Sequence, residues 1–420
     1  GFEGIYLSTN SGSTFTKKTT SPSNILGWVS AGNDVSAGGQ GFYDLAFAVS
    51  PSSKTELLVG GVNIWKSTDG GTIFTLHTHW TASGAPLLHA DHHEIEYINA
   101  TSYYVSNDAG LFKTTNSGGA WTDLSNGLQI AQMYGFGQST TNPNLLLQGW
   151  QDLGTNRYNG TSWAHVLGGD GMFAFISHGN DQNQWASHYY GQLKRSTDGG
   201  NSFSDCTTGI TEYNGTNGPG PWVTEWMEDP KTANTLYAGF NNVWKSTNGG
   251  TSWSKLGTIS TSTVYVQAIA VSPVDNKTIW AAKGNTLYKT TSTGTTWTPV
   301  AGGLPSGNIS DIVCHNTDIN KVWVTYSGFS NVNKVFQTSN GGTNWTNLSG
   351  SIPNVPVNCI TVDKNGNDAL YIGTEVGVFF KDASLTVWQP FSNGLPNVPI
   401  SQLAIFYGGT NKLRASTFGR

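Results

Sequence analysis

Charge is scarce in this sequence. Of 420 residues 11% are Asp, Glu, Lys or Arg, and 21 basic against 26 acidic side chains leave a formal net charge of −5. No basic run or patch supplies the counterion-releasing footprint that nucleic-acid binding requires, so DNA and RNA are not expected partners. Long apolar runs are lacking as well. None approaches the roughly 20 residues needed to cross a bilayer, which excludes a membrane-spanning helix. Cysteine is limited to Cys206, Cys314 and Cys359; an odd, widely spaced set builds neither a disulfide framework nor the paired spacing of a zinc site, so buried apolar thiols are expected. The chain opens at Gly1 without a signal peptide, which leads us to expect a processed or partial product.

What is abundant is turn and strand chemistry. There are 53 Gly, and Thr, Ser and Asn fill much of the rest, which suits short strands joined by tight turns and predicts almost no helix. Sixteen Trp, sixteen Tyr and eighteen Phe provide the apolar volume, so the core is expected to be rich in aromatics with their polar ends bonded. Low Lys content and exposed-turn chemistry point to an extracellular or cell-surface location.

Internal repetition is the strongest signal. The segments Ser67-Thr68-Asp69-Gly70-Gly71-Thr72-Ile73-Phe74 and Ser196-Thr197-Asp198-Gly199-Gly200-Asn201-Ser202-Phe203 recur as close variants at Ser246–Trp253, Thr338–Trp345, Asn10–Phe15, Asn116–Trp121 and Ser292–Trp297, with looser copies ending at Trp163 and Trp388. In such a hairpin Asp or Asn bonds backbone amides within the turn, Gly takes positive φ, and the aromatic plugs the base. Intervals of 47 (Asp69 to Asn116), 44 (Asn248 to Ser292) and 48 (Ser292 to Asn340) residues match one four-stranded blade per repeat. Apolar runs such as Leu45–Val49 and Ala268–Val271 read as innermost strands. The expected fold is therefore all-β: a β-propeller of about nine four-stranded antiparallel blades with Asp-box hairpins. Residues 1–20 hold only an outer hairpin and residues 400–417 only two inner strands, so the two chain ends are expected to pair and close the ring. One domain over 1–420 is expected, the alternative being part of a tandem pair of propellers.

The spaced Asp-boxes, the inner strands and the segments Gln151-Asp152-Leu153-Gly154-Thr155 and Gly168-Gly169-Asp170-Gly171 resemble the superfamily of sortilin-type receptors and family 74 glycoside hydrolases, in the manner of secreted bacterial propellers. The resemblance covers essentially the whole chain. It implies a fold shared by xyloglucan hydrolases, sorting receptors and inert scaffolds, so function must come from the site. Family 74 enzymes are understood to use paired acidic residues, and Gly38-Gly39-Gln40-Gly41-Phe42-Tyr43-Asp44 is similar to their approach to an inner strand, making Asp44 the carry-over; no motif places the second carboxylate. A sialidase would need an arginine cluster, and the chain has only Arg157, Arg195, Arg414 and Arg420.

Residues His89-Ala90-Asp91-His92-His93-Glu94 enter an inner strand. His89, Asp91 and His93 would share one face of an extended strand, the spacing of a metal chelate if a third ligand arrives by a bend; calcium or zinc is the candidate ion, although no cofactor is required. The bland alternative is a self-bonded polar channel mouth. Asp152 and Asp170 stand in turns beside Gly, where capping is their ordinary role, yet both are candidates with Asp44 and Asp91 for catalysis. His89, His92, His93, Gln151, Trp80 and Trp150 are candidate ligand contacts, the two Trp as sugar-stacking platforms, with Trp28 and Trp222 as lesser ones. Six of nine His lie between His77 and His165, which suggests one off-centre site. Later blades place Val266, Ile309 and Val357 at equivalent positions.

The leading expectation is a recognition module or scaffold that binds a polysaccharide or an extracellular protein; a third alternative is a cargo-like domain of a longer secreted protein. The rival is an inverting glycosidase cleaving a β-glucan such as xyloglucan, with Asp44 as base and Asp91, Asp152 or Asp170 as acid about 6.5–9.5 Å away. Accessible carboxylates at that separation favour the enzyme; hydrogen-bonded buried ones favour the scaffold.

Overall fold

The computed structural model describes residues 2–33, 38–213, 220–300, 302–329 and 332–419; Arg420 lies outside them. The described residues contain strands and turns and no helix, hence none long and apolar enough to cross a membrane. Their strands form eight four-stranded antiparallel sheets and two two-stranded ones, each four-stranded sheet taking its strands in chain order. This is the multi-blade β-propeller pattern. All three cysteines are buried free thiols, and burial pushes Cys206 and Cys314 up to about 12.

The repeated hairpin closes as its residues dictate. Ser67 Oγ donates to Asp69 Oδ1 (2.8 Å) and accepts from Gly71 N (2.9 Å), while the same Asp69 oxygen accepts from Thr72 N and Ile73 N. Asp198 and Asn340 repeat the pattern. Gly71 has φ +88, a conformation that side-chain-bearing residues avoid. The aromatic at the end of the hairpin reaches the preceding sheet: Trp253, Trp297 and Trp388 donate Nε1 to the carbonyls of Cys206, Leu256 and Leu348 at 2.6–2.8 Å. These three staples thus seal the outer edge between neighbouring sheets.

The chain divides into two compact units, Gly1–Leu128 and Gln129–Arg420. In the first, the sheets with innermost strands Ala46–Ser50 and His92–Tyr97 pack through Ala46, Ala48, Leu58, Ile95 and Val105. The hairpin Tyr6–Leu7/Thr16–Lys17 is held on the first of them by Ile5 packing into the Leu57–Val59–Trp65–Phe74 cluster and by Thr20 N bonding Thr72 O.

In the second unit, seven innermost strands follow one another: Met133–Gln138, Ala174–Ile176, Trp226–Glu228, Val266–Val271, Ile309–Cys314, Val357–Val362 and Ile400–Phe406. The last packs against both Val357–Val362 and Met133–Gln138, so this unit closes on itself. The closing seam copies an ordinary one. Ser310 Oγ donates to Val357 O, and Asp311 Oδ2 accepts from Ile360 N (2.8 Å); at the closure Ser401 Oγ donates to Met133 O (2.6 Å) and Gln402 Oε1 accepts from Phe136 N (2.7 Å). The β-bulges at Ile309/Asp311 and Ile400/Gln402 turn these pairs toward the next strand. The expectation that the N-terminal hairpin and the C-terminal strands build one blade is therefore corrected: they form separate two-stranded sheets, one in each unit. The C-terminal strands already satisfy the edge at Met133–Phe136, and the N-terminal hairpin is spent on its own neighbour.

Glycine lets blades meet at backbone distance. A Cβ on Gly149 would fall 1.7 Å from Met172 O, and one on Gly137 2.3 Å from Phe175 Cα.

Candidate functional site

The candidates fall into two groups, one per unit. In the first unit, Gly38 and Gly39 (φ +72 and +145) lead into a turn in which Tyr43 N and Asp44 N both bond Gln40 O. A Cβ on Gly39 would lie 2.6 Å from Leu26 O, so the glycine pair is what lets the turn tuck under. The turn buries Asp44 completely. Among the described residues no hydrogen-bond partner reaches its carboxyl oxygens, and the Asp91 carboxyl is the charged group that acts on it most strongly. Burial, then the Asp91 carboxylate, push Asp44 up to about 7. Burial likewise raises Asp91, opposed by a 2.8 Å hydrogen bond from Gln40 Nε2.

Asp91 has φ +65, which breaks the extended strand just before it starts at His92. His89, Asp91 and His93 consequently do not converge. His93 Nε2 meets Asp108 Oδ1 at 2.6 Å, Tyr43 OH donates to the same carboxylate at 3.1 Å, and Tyr43 stands edge-on to the His93 ring. His89 Nδ1 lies 3.3 Å from Ala90 O. Among the described residues no group of three His, Cys, Asp or Glu is arranged to hold a metal ion, so the expected chelate is not formed.

His92 occupies the bulge position that Val266, Ile309 and Val357 occupy in other sheets. It is fully buried and, among the described residues, neither ring nitrogen has a partner; burial drives it down to about 3, so it packs as a neutral core group. The expectation that His92 touches a ligand gives way to this core role. Trp80 is 47% exposed, stacks on His79, and donates Nε1 to Trp28 O at 3.3 Å, beside the similarly exposed Trp28.

In the second unit, Asp152 N donates to Asp170 Oδ1 at 2.8 Å and Asp152 has φ +62, the turn-capping arrangement. Trp150 is half-buried against Trp163, its Nε1 bonded to Gln148, and is no open platform. The lesser candidate Trp222 is the better one. Its ring lies parallel to Tyr189 (5.2 Å, 6°) with Tyr190 edge-on, and it is 41% exposed. Trp222 Nε1 donates to Tyr134 OH (3.0 Å), which donates to Gln151 Oε1 (2.8 Å). Tyr190 holds φ +57, a conformation unusual for a bulky residue. Sequence reasoning missed Tyr134, Tyr189, Tyr190 and Asp108; only the adjacent aromatics of Tyr189-Tyr190 offered a signal.

Comparison with known proteins bears on the fold. The Sortilin-Vps10 family model (sortilin, neurotensin receptor 3) matches residues 241–376. Solved structures similar to this chain include YCF48 from Cyanidioschyzon merolae, at 15% identity and TM-score 0.51 over 70% of this chain and 95% of that one. An ancestral GH74 enzyme is 19% identical with TM-score 0.51, over 78% of this chain and 49% of that one. No curated protein matches.

Proposed function

We propose that this chain, a sortilin- and GH74-like β-propeller in fold, is a recognition module for a glycan, presented outside the cell. The observation that carries the reading is the Tyr189–Tyr190–Trp222 platform, in which Tyr190 and Trp222 are exposed and Tyr189 is half-buried, with Tyr134 and Gln151 lined up beside it. Flat aromatic faces held open by their neighbours suit the apolar faces of sugar rings, and the phenol and amide supply directional bonds at the edge. Aromatics also lose little rotamer freedom on binding.

The acid pair argues in the same direction. Glycosidic carboxyl pairs stand about 5–9.5 Å apart with substrate or water between them, whereas Asp44 has no exposed surface through which either could reach it. One observation favours the hydrolytic alternative: a carboxyl near 7 keeps its proton at neutral pH, as a general acid must.

Affinity electrophoresis against plant and bacterial polysaccharides tests the proposal. Retention by at least one of them, weakened about tenfold or more (~1.4 kcal/mol) by Trp222→Ala with the fold intact, is expected. Retention that ignores both Trp222→Ala and Tyr189→Ala refutes the platform.

A further inference from the structure

The innermost strand Ala46–Ser50 of the first unit lies in a run, Ala46-Phe47-Ala48-Val49-Ser50-Pro51, that returns in the second unit as Ala268-Ile269-Ala270-Val271-Ser272-Pro273. The ladder register matches as well. Phe47 stands opposite Val59 as Ile269 stands opposite Ala281, and Val49 opposite Leu57 as Val271 opposite Ile279. Their burial differs. Ile269 and Val271 are each 4% exposed, packed in one cluster with Met227 and Tyr237 of the preceding sheet. Phe47 and Val49 are 49% and 46% exposed, and Leu45 on the same face is 57% exposed. The cover over this face stops half way across the sheet. Ile5, beside the N-terminal hairpin, packs on the cluster of Leu57 and Val59, the cross-strand neighbours of Val49 and Phe47, which themselves stay open.

The far face of the second sheet in this unit is built for water. Glu94 and Glu96 hold the register positions of Ala268 and Ala270 and are exposed, the polar outer face that a terminal repeat needs. The Leu45–Phe47–Val49 face has no such protection and no charge, its neighbours along Ser53–Gly60 being Thr55, Leu57 and Val59. It therefore meets a copy of itself without repulsion between like charges. Two open strand edges border it. Tyr6–Leu7 pairs only with Thr16–Lys17, and Ala46–Ser50 only with Ser53–Gly60, and an unpaired edge is a template for another strand. We propose that this face docks a second copy of the chain. Two Leu45–Phe47–Val49 faces meet about a two-fold axis, and each Ala46–Ser50 edge lies against the other copy's Tyr6–Leu7 edge.

A contact of this kind is self-complementary and closes at two copies. Phe42 in the turn before the strand, and Tyr6 and Leu7 on the hairpin, are exposed beside the face. Together the six side chains offer on the order of 600 Å² per copy, taking roughly 200 Å² for a whole large side chain. Two copies then bury about 1,200 Å², the lower end of the range for specific interfaces. A patch of this size is at the upper limit of what a monomer leaves bare. The surface is separate from the aromatic platform and does not rest on the glycan reading.

Sedimentation velocity on the full chain, over concentrations from about 1 to 100 µM, tests this. The wild type is expected to pass from monomer to dimer and no further. Phe47→Lys sets two positive charges against each other across the axis and is expected to raise the dissociation constant at least tenfold. Glu96→Lys, on the polar face, is expected to leave it unchanged. Hydrogen exchange on the wild type gives a second reading: amides of residues 45–49 slow as concentration rises, while those of residues 92–97 do not. A chain that stays monomeric at the highest concentration, growth beyond two copies, a dimer that Phe47→Lys leaves intact, or exchange at 45–49 indifferent to concentration overturns the proposal. Should Phe47→Lys fail to fold, the wild-type mass and its exchange pattern decide the matter by themselves.

Discussion

Asp44 makes the first unit's stability depend on pH in a direction opposite to that of ordinary ion-paired carboxylates. Its folded-state value is raised from 3.8 to about 7, so between those two values the folded chain holds a proton that the unfolded chain has released. Stability from the protonated Asp44 is therefore complete below about pH 4 and declines as pH rises through 7. A rise of about 3 pH units at ~1.4 kcal/mol each sets an upper bound of about 4 kcal/mol on the loss. Asp44→Asn isolates the effect, because an uncharged amide of the same shape stands in for the protonated acid beside Asp91. Urea unfolding of both chains from pH 4.5 to 8 should give nearly equal midpoints at the acid end and a variant increasingly more stable than wild type toward pH 8. Parallel curves across the range, or a wild type that gains on the variant as pH rises, would refute the retained proton.

Other perturbations test the frame around the sites. His92→Val restores the aliphatic residue type found at the equivalent bulge positions Val266 and Val357. It should relieve a loss of stability that grows as pH falls from 6.5 toward 3, since the depressed His92 must charge on unfolding; thermal melts at pH 4 and 7 read this, with a gain of about 1–3 kcal/mol for removing unmet buried polar atoms. Gly149→Ala drives a methyl into Met172 O and should cost about 3 kcal/mol or prevent folding, seen as a lowered urea midpoint. Gln402→Ala strands Phe136 N at the ring closure and should cost about 1–3 kcal/mol, with faster hydrogen exchange over residues 133–138.

The fold was legible because its turn chemistry is local. Ser67, Asp69 and Gly71 close their hairpin through bonds spanning four residues or fewer, and this signal repeats at blade spacing. The place where the ring closes was not legible, because Ser401 and Gln402 meet Met133 and Phe136 across more than 260 residues and Ser-Gln carries no local mark of a seam. In the candidate sites, Asp44 and Asp91 were named separately, but their proximity depends on the tuck of the Gly38–Gly39 turn and on the positive φ of Asp91, which alternation along a strand does not anticipate. The same break dispersed the expected His89–Asp91–His93 chelate.

The central functional claim is that the buried acid pair takes no part in chemistry and the exposed aromatics do the binding. The most direct test incubates wild type and Asp44→Asn with polysaccharides that the protein retains and measures reducing ends released alongside retention. The account predicts retention by both chains and no release by either. Release by the wild type that disappears in Asp44→Asn, with retention preserved, would contradict it and establish a hydrolase.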